Sequence, residues 1–314
     1  MTGRKKKSGS PATFADAVRD AFEHACLDEL EALKPGNVHA HAEGHGMTVR
    51  DFQTSAKVAS RAIAQPDLTV GARIAAAVDA TLAEVQCNTN LGIVLLAAPL
   101  VQTASSINPA SPVTEKKFRN ALEKTLKGLS IDDAKSAFAA IAKARPAGLG
   151  KSKKYDVNAP AKTSLITAMR EAAKRDRIAW QYANGFKDVF EIGVPALRAA
   201  VKRFAKHPKS GNWVTTAVYL TFLSRFPDSH IVRKHGPKPA AEVQGAASEI
   251  AEAFTHLDDP ERLEWVLMAF DSELKRRGIN PGTSADLTVA SLLAYRLLDI
   301  VAHRTAGRMG GLAP

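Results

Sequence analysis

Apolar residues recur at helical spacing along almost the whole of this 314-residue chain, and no stretch alternates apolar and polar residues as a strand would. Within the segment 72–86, for example, Ile74, Val78, Leu82 and Val85 follow at intervals of four, four and three residues. The chain is 45% hydrophobic and 24% charged, an ordinary composition for a globular protein with a substantial core. The pattern therefore predicts an all-α fold, a multi-helix globular bundle with functional loops at its helix junctions.

The segment 91–101 is apolar on all sides and is expected to be buried in the centre of the bundle. Two helix starts carry the pattern of a capping box, Ser130 with Asp133 and Thr283 with Asp286. Tyr182, Phe186 and Phe190 recur at steps of four, as core residues of a helix do. The predicted helices cover 14–33, 49–63, 72–86, 91–101, 111–129, 131–143, 163–182, 194–205, 213–226, 240–257, 261–277 and 285–304.

The chain is predicted to hold one all-helical catalytic domain over 12–304, between a disordered basic tail, 1–11, and a flexible C-terminal tail, 305–314. A segment rich in glycine, proline and lysine, 144–161, interrupts the helices near the middle of the chain. It is interpreted as a flexible loop inside the domain, although the sequence also allows a plain linker.

The formal net charge of +11 raises the question of a nucleic-acid partner. Nine of the excess positive charges lie in two short stretches, four in 4–7 and five in 143–154, so the remainder of the chain is nearly neutral. Aromatic residues, at 6%, do not alternate with the basic ones, which weighs against a surface that stacks bases. A non-catalytic, helical nucleic-acid-binding protein is kept as the weakest of three hypotheses.

Other features place the chain in a reducing cytoplasm. It has two cysteines, Cys26 and Cys87, that form no metal-binding pair, and neither a signal peptide nor a membrane span is recognisable. No membrane partner is expected, and the oligomeric state is left open.

Polar residues that suit phosphate, metal or acid–base chemistry are concentrated at the helix junctions. The first junction, Lys34-Pro35-Gly36-Asn37-Val38, leads into a loop with His39, His41 and His45. Loops carry function disproportionately, so substrate contact by these histidines is favoured over metal binding and over incidental surface positions.

Further helix junctions also concentrate polar residues of these types. Asn88 and Asn90 stand before the apolar helix, where they could cap it or help its N-terminus to bind phosphate. The sequence Gly150-Lys151-Ser152 lacks the spacing of a P-loop but could form a basic phosphate-binding loop. The junction 228–236 combines Asp228, His230 and Arg233, which suit a divalent metal and phosphate oxygens.

Taken in order, these junctions resemble the triphosphoribosyl-dephospho-CoA synthase family. The first matches its Lys-Pro-Gly-x-Val motif, and Asn88-Thr89 with Gly92 is similar to its Asn-Thr-x-x-Gly motif. The chain also resembles the family at Gly148-Leu149-Gly150 with Asp156, at Asp228-Ser229-His230 through Arg233 and Gly236, and at Gly282 through Ser284-Ala285-Asp286-Leu287. The resemblance covers about 20–300, and it implies an all-helical transferase.

The family uses ATP as a substrate: it displaces adenine and joins the triphosphoribosyl group to a hydroxyl of dephospho-CoA. The resemblance implies Mg²⁺ on the triphosphate, carboxylates to hold it and acid–base groups for adenine and hydroxyl. It gives His39, His45, Asp228 and Asp286 as candidate catalytic residues, with Asp228 and Asp286 also as metal ligands. It gives these candidates for binding the nucleotide and its phosphates: Lys34, Asn88, Asn90, Lys151 and Arg233.

Well-known bacterial members of the family have Asn-Thr-His-Lys-Gly where this chain has Asn88-Thr89-Asn90-Leu91-Gly92. In this respect the chain is similar to a branch found in archaea and one-carbon-metabolising bacteria. That similarity implies a second hypothesis: a related enzyme that uses another acceptor in the synthesis of methanopterin- or methanofuran-type cofactors.

Overall fold

The computed structural model describes residues 13–108 and 113–305, and these residues form fourteen α-helices and no strand, which confirms the predicted all-α class. The helices are α1 (Phe14–Glu31), α2 (Val49–Ile63), α3 (Val70–Val85), α4 (Leu91–Ser106), α5 (Glu115–Lys127), α6 (Ile131–Ala144), α7 (Leu165–Ala172), α8 (Arg177–Ala183), α9 (Val194–Phe204), α10 (Ser210–Arg225), α11 (Ser229–His235), α12 (Pro237–His256), α13 (Glu264–Arg276) and α14 (Gly282–Thr305). A π-helical turn, Val189–Gly193, precedes α9, and a 3₁₀ turn, Pro260–Leu263, precedes α13.

Side-chain caps explain where several of these helices begin. The predicted capping box of α6 is confirmed: the Ser130 hydroxyl accepts from the Asp133 N–H, and the Asp133 carboxylate accepts from the Ser130 N–H. Thr13 and Thr48 start α1 and α2 in the same way. Each box satisfies N–H groups that have no partner inside the helix.

Helix α4 lies at the centre of the fold, as its uninterrupted apolar sequence predicts. It packs against α3, α5 and α14, and Val94, Leu96 and Leu100 are fully buried. One apolar core joins side chains from α1 through α14, so helices on both sides of the segment between α6 and α7 contribute to it. A smaller apolar cluster connects α10, α11, α12 and α13 beside the start of α14.

Helices α3 and α6 meet at a glycine. The Gly71 N–H donates to Asp133 Oδ1 at 2.8 Å, and a Cβ on Gly71 would overlap the Asp133 backbone. We therefore expect Gly71→Ala to lower the free energy of unfolding by about 1–3 kcal/mol, measured by urea denaturation. Gly245→Ala is the control, because nothing lies within 4 Å of its Cβ and alanine favours the interior of α12 by about 1 kcal/mol. A neutral Gly71→Ala would contradict this close approach of α3 and α6.

Two local predictions are wrong. The single helix expected over 163–182 is divided into α7 and α8, because Asp176 Oδ1 accepts from the N–H groups of Ile178 and Ala179 and so starts a new helix. The capping box expected at Thr283 and Asp286 does not form, because α14 already begins at Gly282 and both residues lie inside the helix.

The other predicted helices occur with ends shifted by a few residues, and Tyr182, Phe186 and Phe190 are buried as expected. None of the helices in the described ranges is both long and apolar enough to cross a bilayer. The basic tail predicted at 1–11 lies outside the described residues, as does 306–314, whereas Thr305 is the last residue of α14.

Candidate active site

A cavity of about 640 Å³ lies where the helix junctions meet. Helices α4, α8 and α14 contribute their first residues to its walls, and α6 and α7 each contribute one face. Helix α11, the turn after α1 and the irregular segment 145–157 complete the walls. The volume is within the usual range of ligand sites. Six predicted site residues line it, namely His45, Asn88, Asn90, Lys151, Arg233 and Asp286. Three others, Lys34, His39 and Asp228, are buried behind its walls.

Lys34 fixes the turn that follows α1. Its Nζ donates to the Glu29 carboxylate, to Asn37 Oδ1 at 2.9 Å and to the Val38 carbonyl at 2.7 Å. Burial lowers the pKa of the Lys34 ammonium and raises the pKa of the Glu29 carboxyl, and the pairing of the two charges opposes both shifts. All three ammonium hydrogens are used inside the protein, so none is left for a phosphate.

A hydrogen bond from its imidazole ring holds His45 against the same turn. His45 Nε2 lies 2.8 Å from the Gly36 carbonyl oxygen, and because that oxygen only accepts, Nε2 carries the proton. Burial lowers the pKa of His45, which favours the neutral ring with an unshared electron pair on Nδ1. His45 can therefore accept a proton from a ligand in the cavity.

His39 lies on the other side of the turn, away from the cavity. Its Nε2 is 3.3 Å from Asp271 Oδ1, which also accepts from the Gly36 N–H at 2.8 Å. Burial lowers the pKa of His39, and the neighbouring Asp271 carboxylate opposes that shift. These contacts connect the turn to α13 and bring no part of the imidazole to the cavity wall.

The Asn88–Gly92 junction is held by its amide groups. Asn88 Oδ1 accepts from the Leu91 N–H at 3.1 Å and so satisfies one N–H at the start of α4, whereas the N-cap residue, Asn90, makes no side-chain cap. Asn90 Nδ2 donates to Thr81 Oγ1 at 3.0 Å. Since neither Asn90 nor Leu91 carries a charge, this junction adds no cation to the cavity that it lines.

Asp286 is a carboxyl group of the cavity wall that makes no hydrogen bond or ion pair with any residue the structure describes. Burial and the nearby acids Asp228, Glu29 and Asp176 raise its pKa well above the usual range. Its Oδ2 lies against Gly92, where any Cβ would overlap it. A cationic partner would favour the ionised form of this group.

Asp228 caps two helices at once. Its Oδ1 accepts from the N–H groups of His230 and Ile231 at the start of α11, at 2.8 and 3.2 Å. Its Oδ2 accepts from the N–H and the hydroxyl of Ser284 in α14, at 2.7 and 2.8 Å. Burial raises the pKa of this carboxyl, and the four donors oppose the rise because they stabilise its ionised form.

His230 lines the cavity beside these groups; the sequence grouped it with Asp228 and Arg233 as suited to metal and phosphate but did not name it as a candidate catalytic residue. Burial, followed by the charges of Arg233 and Lys234, lowers its pKa to about 4, so the ring is neutral near pH 7. Gly282 makes room for it, since a Cβ there would overlap the His230 ring. The glycine was visible in the sequence, but only the packing of α11 on α14 shows why the position is small.

The segment 145–157 folds over the cavity and brings cations to it. Arg233 connects to it, with its guanidinium 3.0 Å from Asp176 and 3.0 Å from the Ala147 carbonyl. Six cations line the cavity, namely Arg145, Lys151, Lys154, Arg175, Arg233 and Lys234. Among the described residues, the side chains of Arg145, Lys151 and Lys154 have no ion-pair partner, which favours a phosphate-binding loop over a linker.

Within the described residues, one group elsewhere has the composition of a metal site: His207, Asp259 and Glu261. Its members are already engaged, because His207 Nδ1 accepts from the Lys209 N–H and the Lys209 ammonium lies 3.2 Å from Glu261. His207 Nε2 must then carry the proton of the neutral ring, so it offers no electron pair to a metal.

An all-α fold around a cavity that combines carboxyl, imidazole and cationic groups is typical of an enzyme for an anionic organic ligand. The sequence matches the model of the CitG family, ATP:dephospho-CoA triphosphoribosyl transferase, over residues 15–305. The chain belongs to this family and is therefore a transferase.

A solved structure from Archaeoglobus fulgidus, provisionally identified as a triphosphoribosyl-dephospho-CoA synthase, has a similar fold, with a TM-score of 0.57 and 23% sequence identity. The match covers 77% of this chain and 96% of the archaeal one. No curated protein sequence matches the chain significantly. Family membership favours the two enzyme hypotheses over the non-catalytic nucleic-acid-binding one.

Proposed function

We propose that this cavity displaces adenine from ATP and joins the triphosphoribosyl group to a hydroxyl of dephospho-CoA. In that reaction the C1–N bond of the ribose breaks, a C1–O bond forms, adenine takes up a proton and the hydroxyl loses one. The observation that carries the proposal is Asp286, a carboxyl group on the cavity wall with no partner among the described residues. An ionised carboxylate there would stabilise the positive charge that develops on the ribose.

The two imidazoles of the cavity suit the proton transfers. We assign His45 to the acceptor hydroxyl, because its Nδ1 has a free electron pair while Nε2 is held by the Gly36 carbonyl. We assign His230 to the departing adenine as a hydrogen-bond donor, because its neutral ring keeps one N–H, and water supplies the proton that the base takes up.

The carboxyl groups also determine where Mg²⁺ would fit. The oxygens of Asp228 and Asp176 are occupied by caps or by Arg233, whereas those of Asp286 are unpartnered within the described chain. Mg²⁺ at nucleotide sites is commonly held by one or two carboxylates together with phosphate oxygens. We therefore propose Asp286 as the protein ligand, and Asp228 as a positioning residue. The ion would neutralise charge on the triphosphate.

Lys151 is the predicted phosphate contact that a matched pair of variants can test. It lines the cavity, whereas Lys153 on the same segment does not. We expect Lys151→Ala to weaken ATP binding about tenfold, in keeping with the loss of one charge-assisted hydrogen bond, and Lys153→Ala to change it less than about twofold. Isothermal titration at fixed salt measures both, and equal effects would contradict a specific role for Lys151.

The decisive experiment on the reaction is adenine release from ATP, Mg²⁺ and dephospho-CoA, followed by chromatography and mass spectrometry. Adenine together with a triphosphoribosylated acceptor supports the proposal. A folded protein that binds ATP but releases no adenine contradicts it. In that case precursors of methanopterin- and methanofuran-type cofactors are the acceptors to test, because the uncharged Asn90-Leu91 pair departs from the bacterial family pattern.

A further inference from the structure

Two side chains of α13 hold the loop that carries His45. The Gly36 N–H donates to Asp271 Oδ1 at 2.8 Å, and the Lys275 ammonium donates to the Ala42 carbonyl at 2.8 Å. Lys275 Nζ also lies 3.0 Å from Asp271 Oδ2, so the two side chains form an ion pair with each other. We call this pair the α13 brace. It connects two points of the loop 36–45 to one helix.

The brace lies inside the protein. Asp271 keeps 1% of its surface exposed, and the Lys275 side chain keeps 15%. The cost of removing two charges from water offsets much of the attraction between them, so a buried ion pair adds little to stability on its own. What this pair supplies is a fixed distance between α13 and two backbone groups of the loop.

The loop needs such contacts, because its own backbone does not favour its shape. His45 has a φ of 57°, in the left-handed region that residues other than glycine uncommonly adopt. Gly36, with a φ of 82°, lies so close to α13 and the turn after it that a Cβ would overlap Leu274 and Pro281. The position of His45 therefore depends on contacts outside the loop.

Gly36 connects the brace to the imidazole. Its N–H is held by Asp271, and its carbonyl oxygen accepts from His45 Nε2 at 2.8 Å. The second bond keeps the proton on Nε2 and leaves the electron pair on Nδ1. If the loop moved away from α13, this bond would lengthen, and the ring would be free to adopt either tautomer.

We propose that Asp271 and Lys275 are positioning residues for His45: they hold the loop at the place where Nδ1 can accept the proton of the acceptor hydroxyl. Neither residue lines the cavity, so both act through the loop. This inference rests on the proposed function, which gives that proton to His45. A misplacement of about 1 Å can lower the rate of a reaction about 100-fold.

The tautomer of His45 tests the brace directly. Lys275→Met removes the ammonium and keeps the length of the side chain. Imidazole ¹⁵N NMR of the full chain without substrates reports the tautomer, and His45→Gln identifies the signals by their loss. We expect the proton on Nε2 alone in the unaltered chain and a mixture of both tautomers in Lys275→Met. Lys275→Arg should restore the single tautomer, because a guanidinium can still donate to Asp271 and to the Ala42 carbonyl.

The titration of His45 gives a second reading. Burial lowers its pKa, and its hydrogen bond to the turn opposes that shift. The charged groups that act on it are Lys234 on α11 with Asp271 and Lys275 on α13, and both ammonium groups lower the pKa whereas the carboxylate raises it. The ring of His230 on α11 is neutral near pH 7. Lys275→Met should therefore raise the pKa of His45.

Turnover by Lys275→Met gives the third reading, with ATP, Mg²⁺ and dephospho-CoA. We expect kcat for adenine release to fall about 10–100-fold while KM for ATP changes less than about twofold, because the brace places the base and does not touch the nucleotide site. The acid limb of the kcat profile should move to higher pH, since only the neutral ring of His45 accepts a proton.

Arg276→Met is the matched control, because this exposed side chain of α13 pairs with Glu273 and lies outside the brace. We expect it to change neither the tautomer of His45 nor kcat. An unchanged tautomer and kcat in Lys275→Met would overturn the inference, and so would a loss that Arg276→Met shares.

If Lys275→Met does not fold, Asp271→Asn breaks the same ion pair from its other side and keeps an oxygen for the Gly36 N–H. The same mixture of tautomers is expected there. Because the NMR reading needs no substrate, it is independent of the reaction. Mixed tautomers in the variant without adenine release by the unaltered chain would reject the proposed function alone, and release with an unchanged tautomer in the variant would reject the brace alone.

Discussion

Asp286→Asn is expected to reduce adenine release at least about 100-fold while the protein stays folded. Asparagine has the same shape, so no packing is lost, and the carboxylate has no hydrogen bond in the described structure that the amide would break. The loss falls on the chemistry because the amide can neither balance the positive charge that develops on the ribose nor hold Mg²⁺ as the carboxylate would. Initial rates with saturating ATP and dephospho-CoA measure it, and thermal unfolding reports the fold.

Asp156→Asn provides the matched control for this prediction. Asp156 is a second carboxylate of the cavity wall, but it is bound to the N–H groups of Ser152 and Asn158 within its own segment. We expect only a few-fold loss of rate there. Comparable rates for Asp286→Asn and the unaltered chain would rule out the role that we propose for Asp286.

Asp228→Ala is expected to have the largest effect on stability, a loss of about 2–4 kcal/mol in the free energy of unfolding. It removes two helix caps, each of which contributes roughly 1–2 kcal/mol, and leaves the N–H groups of α11 and of Ser284 without their acceptor. Urea denaturation followed by circular dichroism measures the change. The stability of Asp228→Asn should lie between those of Asp228→Ala and the unaltered chain, because its amide oxygen can still cap α11 while its NH₂ group faces the Ser284 donor.

Asp259→Ala is the single-cap comparison, since Asp259 accepts from one N–H group, that of Glu261, at an exposed turn. Its expected cost is about 1 kcal/mol or less. If Asp228→Ala instead left stability unchanged and abolished turnover, Asp228 would act in the chemistry, as the sequence predicted, and the positioning role would be wrong.

The helical fold could be predicted because its determinants lie close together in the chain. The two residues of the capping box, Ser130 and Asp133, are three positions apart. The segment 91–101 in α4 is apolar on all sides, so it has no face suited to solvent. The predictions failed where a polar residue near a helix start was compatible with two roles, as a helix cap or as part of the site. Asp286 fits a capping pattern in the sequence, but α14 begins one turn earlier and its carboxyl lies on the cavity wall.

The sequence by itself determined the helical class and the approximate extent of most helices, and it predicted a site at the helix junctions, because periodicity and caps are short-range properties. Only the tertiary structure decided which junction residues share a site. Asp228 and Ser284 are 56 residues apart, and the bond between them brings α11 onto the start of α14. In this arrangement Asp228 is a buried cap, and Asp286 lies on the cavity wall. A buried carboxylate must find partners for its oxygens within the protein or in a ligand, and only Asp228 finds them within the described protein.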